Sequence, residues 1–163
     1  MRDAWELASY VVTALGLPVA IVFFAWEQRK ERDNEEEAQY QQLSDAYNDF
    51  LKVVLEHPDL QLRSNEPLEN PTAEQRERML VIFDMLISLF ERAYLVAYRP
   101  GMGETEARRW NSWDDFMREW CRRRDFHDVL PSLLRGEDPE FQQYIRRIAE
   151  EELGPIPIQT TTY

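Results

Sequence analysis

Few side chains in this sequence are of types that carry chemistry. There are two histidines, His57 and His127, and one cysteine, Cys121. Each histidine has an aspartate close by, in His57-Pro58-Asp59 and His127-Asp128. A zinc site needs several Cys or His ligands at short spacing and a diiron bundle needs Glu-x-x-His; neither pattern, nor HExxH, nor a second cysteine is found. The histidines read as helix-end or turn residues beside a local acid, and no metal, cofactor or catalytic residue is expected. A second candidate is the polar line Asp84, Ser88, Glu91 and Arg92, at three- and four-residue spacings in an otherwise apolar stretch. Two carboxylates on one helix face could serve a hydrolase. The favoured reading is a strip facing water or a partner's polar surface, because burying two carboxylates needs compensating charge that only Arg92 supplies.

The most distinctive segment is RRWNSWDDFMREWCRRR, residues 108–124. It interleaves Trp110, Trp113 and Trp120 with Arg108, Arg109, Arg118, Arg122, Arg123 and Arg124. A helix here carries aromatic rings on one face and guanidinium groups on the other, and three functions fit. The tryptophans can fill a core while the arginines pair with the acidic residues of the stalk and first helix, the reading that helical stripes favour. The helix can dock on a partner protein or an anionic membrane surface. It can also hold an anionic small ligand, with Trp stacking on it and Arg binding its charge, although no phosphate-cradling glycine loop accompanies it and RPGMG matches none. Candidate ligand or partner contacts are Arg108, Arg109, Trp110, Trp113, Arg118, Arg122, Arg123 and Arg124.

These candidates must be positioned by helices, since no convincing strand alternation and no fixed-period repeat is present. The run LASYVVTALGLPVAIVFFAW, residues 7–26, has no formal charge. At about 1.5 Å per residue it reaches roughly 30 Å, the thickness of a bilayer's hydrocarbon core. Trp5, Tyr10 and Trp26 suit its ends, and spanning helices accept Gly16 and Pro18 more readily than soluble ones do. Cleavage as a signal peptide is disfavoured, because Ala25 has Phe23 and Ala20 has Pro18 at the minus-three position. Arg2 alone precedes the run, whereas Arg29, Lys30 and Arg32 follow it, so the N-terminus is expected outside and the rest in the cytoplasm. The lone cysteine agrees with a reducing compartment.

Residues 27–37 are nearly all charged and read as a solvated helical stalk supported by pairs such as Glu27 with Lys30 and Arg32 with Glu35 and Glu36. Tyr40, Leu43, Tyr47, Phe50 and Val54 then mark one apolar helical stripe, ended by His57-Pro58. RSNEPLENPT is a loop, and Thr72 with Gln75 forms a capping box for a central helix over 79–98. Asp84, Glu91 and Arg92 disfavour that helix as a second span, at roughly 2.5–3.5 kcal/mol each in mid-bilayer. After RPGMG, Ser112 is expected to cap a helix carrying Trp113, Phe116, Met117 and Trp120. Pro131 and Gly136 bound a connecting piece, and Asp138-Pro139 starts a last helix with Phe141, Tyr144, Ile145 and Ile148 inward, stopped by Gly154-Pro155.

The expected architecture is therefore all-α: a single transmembrane helix continuing into a cytoplasmic four-helix bundle. Its parts are an anchor over 1–27, a stalk over 28–39, a helical domain over 40–153 and a tail over 154–163. The net charge of −12 argues against a nucleic-acid partner. Only Lys30 and Lys52 are lysines among the nineteen basic residues, a bias that reads as codon habit without a motif beside it. The N-terminal span, the charged stalk, the Y..L...Y..F stripe ending in HPDL, the LFERA helix, the Trp110–Trp113 pair and DPEFQQYI together resemble a group of small bacterial single-span membrane proteins of unknown function. That resemblance implies the bacterial inner membrane and the fold, and supplies no functional residue. The expected function is a non-enzymatic, membrane-anchored protein–protein interaction module, a small subunit or regulator. Its partners would be lipid through 7–26 and either a second copy of itself or a larger membrane complex. The alternatives are a sensor binding an anionic ligand through the Arg/Trp helix and, more remotely, a hydrolase around Asp84 and Glu91.

Overall fold

The computed structural model describes residues 2–64 and 66–156, the side chains of 2–20, 22, 32, 33 and 36 excepted. All regular structure among them is helical. Five α-helices follow in order: α1 (Arg2–Glu56), α2 (Ala73–Ala97), α3 (Glu104–Cys121), α4 (Arg124–Leu133) and α5 (Pro139–Leu153), with a 3-10 turn at Pro58–Leu60 between α1 and α2. The chain divides within α1 into two compact units, one up to Gln42 and one from Leu43 onward.

In the first unit, α1 carries Ile21, Phe23, Phe24 and Trp26, each about three-fifths exposed at 61, 59, 62 and 58%. At about 100° per residue these four point in all directions around the helix. Phe23 contacts Trp26 with ring centroids 6.0 Å apart, and the Lys30 ammonium lies 5.7 Å from the Trp26 ring. The expected span over 7–26 falls mostly on side chains outside those described, as do the stalk pairs through Arg32 and Glu36. Among the described residues no helix is long and apolar enough to cross a membrane.

The second unit is built on the expected apolar stripe. Leu43, Tyr47, Phe50 and Val54 of α1 are buried, whereas Tyr40 is only partly covered. Tyr47 stacks on Phe116 at 4.3 Å and meets Trp113 edge-on at 5.7 Å, while Phe50 meets Trp120 edge-on at 5.6 Å. Large rings thus fill the space between α1 and α3. Helix α2 opens with the capping box: Thr72 Oγ1 accepts from the Gln75 amide, and Gln75 Oε1 accepts from the Thr72 amide. Its buried face runs through Ile82, Phe83, Leu86, Ile87, Phe90, Ala93 and Tyr94. Asp138 caps α5, accepting from the amides of Glu140 and Phe141, with Pro139 at the first helical position and Gly154 at φ 86° as the stop.

Two expectations fail. Ser112 caps nothing, because α3 begins at Glu104 and Ser112 lies in its interior. The helix can start early because Gly103 takes an extended conformation and its amide donates to Glu106 Oε2. Pro131 does not open the connecting piece: it lies inside a further helix, α4, near its C-terminal end, and the non-helical link to α5 begins only after Leu133. A proline there removes one intrahelical donor and shortens the helix without abolishing it. Among the described residues the second unit therefore holds five α-helical segments, counting the end of α1, rather than four.

Candidate functional site

The tryptophans of α3 are drawn into the core, and Arg118, Arg122 and Arg123 find their partners within the chain. Trp110, Trp113 and Trp120 are all buried, at 4, 2 and 2% exposed. The indole N–H of Trp110 donates to Tyr144 Oη at 2.9 Å, and that hydroxyl donates to Asp114 Oδ1 at 2.6 Å. Asp114 Oδ2 in turn accepts from Arg118 Nε at 2.7 Å. Arg118 Nη1 also reaches Glu151 Oε2 at 2.8 Å and Glu152 Oε1 at 3.1 Å, and Arg122 Nε holds the other Glu152 oxygen at 2.7 Å. A continuous polar chain therefore runs from an indole in the core to two carboxylates in the last turn of α5. Burial, and then the bond to Asp114, push the Tyr144 phenol well above its usual pKa. The bond from Arg122 holds Glu152 below the ordinary carboxylate value.

Arg123 is fully buried at 2% exposed, although its type is ordinarily a surface residue. Its Nη1 donates to the carbonyls of Gln61 at 2.6 Å and Ser64 at 2.9 Å, and Nη2 donates to Asp125 Oδ2 at 2.8 Å. Nε lies 2.6 Å from Asp125 Oδ1 without hydrogen-bond alignment. The side chain fastens the loop after the 3-10 turn to the start of α4. Arg118, Arg122 and Arg123 thus have their charges met by Asp114, Asp125, Glu151 and Glu152. The expectation that the arginines pair with the stalk and first helix is corrected for these three, whose partners lie on α3, α4, α5 and the loop over 61–64. Arg108 and Arg124 are exposed, and Arg109 is partly covered. An anion approaching Arg118, Arg122 or Arg123 would have to displace carboxylates that already hold them.

Of the polar line on α2, Asp84, Ser88 and Arg92 are exposed and Glu91 is half-buried. Glu91 Oε1 accepts from the Asp138 amide, tying α2 to the N-terminus of α5. Its carboxylate shares a hydrogen bond with Glu137, whose pKa is pushed up to about 7 by burial first and by Glu91 second, with Asp84 adding to the rise. Glu137 therefore stays largely protonated under mildly acid conditions. Asp84 and Glu91 do not converge as a catalytic dyad, because Glu91 is turned to the α5 cap and Asp84 to solvent.

His127 is buried and its Nε2 lies 3.1 Å from the Gly154 carbonyl oxygen, so the ring joins α4 to the end of α5. His57 precedes the 3-10 turn, with Nδ1 3.4 Å from Arg78 Nη1. Burial raises the Cys121 thiol far above its ordinary pKa, which removes it as a nucleophile. Among the described residues no group of three His, Cys, Asp or Glu is placed to hold a metal ion.

Reasoning from sequence missed Tyr144, Glu137, Glu151 and Glu152 as members of these networks. One signal was present. The last turn of α5 is rich in glutamate, against the helix dipole, which favours cations there; an arginine-rich neighbour resolves the conflict. No family model, curated protein or solved structure matches this chain.

Proposed function

We propose that the chain is a membrane-anchored, non-enzymatic protein–protein interaction module: a single N-terminal span continuing into a cytoplasmic all-α domain that serves as a small subunit or regulator of a membrane complex. The observation that carries the reading is the set of large apolar side chains at Ile21, Phe23, Phe24 and Trp26, each about three-fifths exposed and pointing all round α1. A helix apolar on every side is unfavourable in water and favourable in lipid. Residues 7–20 extend the same uncharged composition toward the N-terminus, and the basic residues directly after Trp26 orient the domain to the cytoplasmic side. The resemblance to small bacterial single-span proteins agrees with an inner-membrane location.

The internal neutralisation of Arg118, Arg122 and Arg123 supports an interaction module over a sensor of anionic ligands. Tethering raises a domain's effective concentration toward its neighbours in the membrane plane without any new contact. Native electrophoresis of the full chain extracted in mild detergent, together with chemical cross-linking in intact membranes, tests the reading. An assembly larger than a monomer is expected. A strictly monomeric chain with nothing bound contradicts it.

A further inference from the structure

Helix α2 buries one face and leaves the opposite face to solvent, yet that exposed face is not uniformly polar. Among the described side chains from Leu43 onward, the exposed large apolar ones are Leu55, Leu80, Val81, Met85, Leu95 and Leu153, so four of the six lie on α2. Between them stand Glu77, Asp84, Ser88 and Arg92, all exposed. At about 100° per residue, Glu77, Val81, Asp84, Ser88, Arg92 and Leu95 fall within an arc of roughly 80°, centred on Ser88 and directly opposite the buried face. Neither Asp84 nor Arg92 makes an ion pair or hydrogen bond with any described residue.

The order of charges along this arc is a palindrome in chemical complement. Taking Ser88 as the centre, Asp84 lies as far before it as Arg92 lies beyond it. Val81 and Leu95 are likewise equidistant, and so are Glu77 and Arg99. Arg99 is exposed just past the helix end, where its Nη1 donates to the carbonyls of Leu95 and Tyr98 and leaves its other donors open. A two-fold axis level with Ser88, perpendicular to α2, therefore sets Asp84 against Arg92 and Val81 against Leu95.

We propose that a second copy of this chain docks antiparallel on this face, α2 against α2, with Ser88 at the two-fold centre; the proposal rests on the interaction-module reading and names its surface and partner. In this pairing Asp84 faces the partner's Arg92, Val81 faces the partner's Leu95, and Glu77 faces the partner's Arg99. An isologous contact must be self-complementary, and this sequence is. The parallel arrangement sets Asp84 on its own copy and Arg92 on its own copy, so like charges reject it. Serine at the crossing point lets the helix axes approach to about 8 Å, the close end of the usual range. Leu80 and Met85 flank the seam and lose water contact with Val81 and Leu95. The bodies repel at a distance through their shared net charge of −12, and the common membrane raises their effective concentration enough to offset that repulsion.

Oxidative cross-linking of the full chain in membranes tests the geometry. The native Cys121 is 0% exposed and supplies no background. Ser88→Cys is expected to give a disulfide-linked dimer in high yield, while Asn111→Cys, at an exposed position on α3, gives little. In the Ser88→Cys background, Asp84→Arg alone and Arg92→Asp alone each reduce the dimer about tenfold, and the two together restore it. All these positions are on the surface, so the variants retain the fold. Absence of the Ser88→Cys dimer in a chain that still migrates as an oligomer overturns this interface and leaves the interaction-module reading intact. A chain that migrates as a monomer with no partner overturns both. Failure of the double charge reversal to restore the dimer overturns the antiparallel register.

Discussion

Arg123 is the residue on which the second unit's loop geometry depends. Three of its guanidinium hydrogens are committed, two to backbone carbonyls at Gln61 and Ser64 and one to Asp125. Truncation to alanine leaves those acceptors and a carboxylate partly buried without a donor, a loss of roughly 3 kcal/mol. Denaturant unfolding of Arg123→Ala in mild detergent measures it, and a change below about 0.5 kcal/mol contradicts the assignment. Glu137 gives a prediction of the opposite kind. Its pKa rises from 4.5 to about 7 on folding, so the native state binds more protons than the unfolded chain between those values. The associated stability is complete below pH 4.5 and is lost as pH rises through about 7. Glu137→Gln keeps the hydrogen bond to Glu91 without the second charge. It should match the parent near pH 4.5 and exceed it at pH 8 by roughly 1 kcal/mol, allowing for solvent screening. Parallel stability–pH curves for the two proteins contradict the raised pKa of Glu137.

At the scale of elements, the ends of the helices are set by local chemistry. Asp138 holds two amides at the start of α5, and Asp138→Ala should lower stability by about 1 kcal/mol in the same unfolding assay, with Asp138→Asn nearly neutral. Equal losses for the two substitutions contradict a capping role. The residues that specify these ends are neighbours in sequence, which is why Thr72 with Gln75, Asp138 with Pro139, and the stripe Leu43, Tyr47, Phe50 and Val54 are legible in the amino-acid order alone. The start of α3 is not, because Ser112 is a better cap by type than Gly103; extended backbone at Gly103 and a reach from Glu106 decide the matter. Helix α4 is hidden by Pro131, which signals a break but sits where a short helix is ending anyway. The arginine partners are hidden for a different reason. Arg118 and Glu152 are thirty-four residues apart, and no local pattern records a contact at that separation.

At the scale of the whole molecule, a helix with exposed Ile21, Phe23, Phe24 and Trp26 continues into an acidic helical body in which Arg118, Arg122 and Arg123 are met by carboxylates. The central claim is that the N-terminal segment lies in lipid and the body works in the cytoplasm as a tethered partner. The all-α fold of the body is independent of that claim, since its core is closed by Trp113, Phe83, Phe126 and Phe141. The most direct measurement is alkaline carbonate extraction of membranes from cells expressing the full chain, with a reporter at the C-terminus that is active only on the cytoplasmic side. The chain is expected to stay in the membrane pellet with an active reporter. Recovery of the intact chain in the supernatant, or an inactive reporter on a chain that stays in the pellet, contradicts the claim.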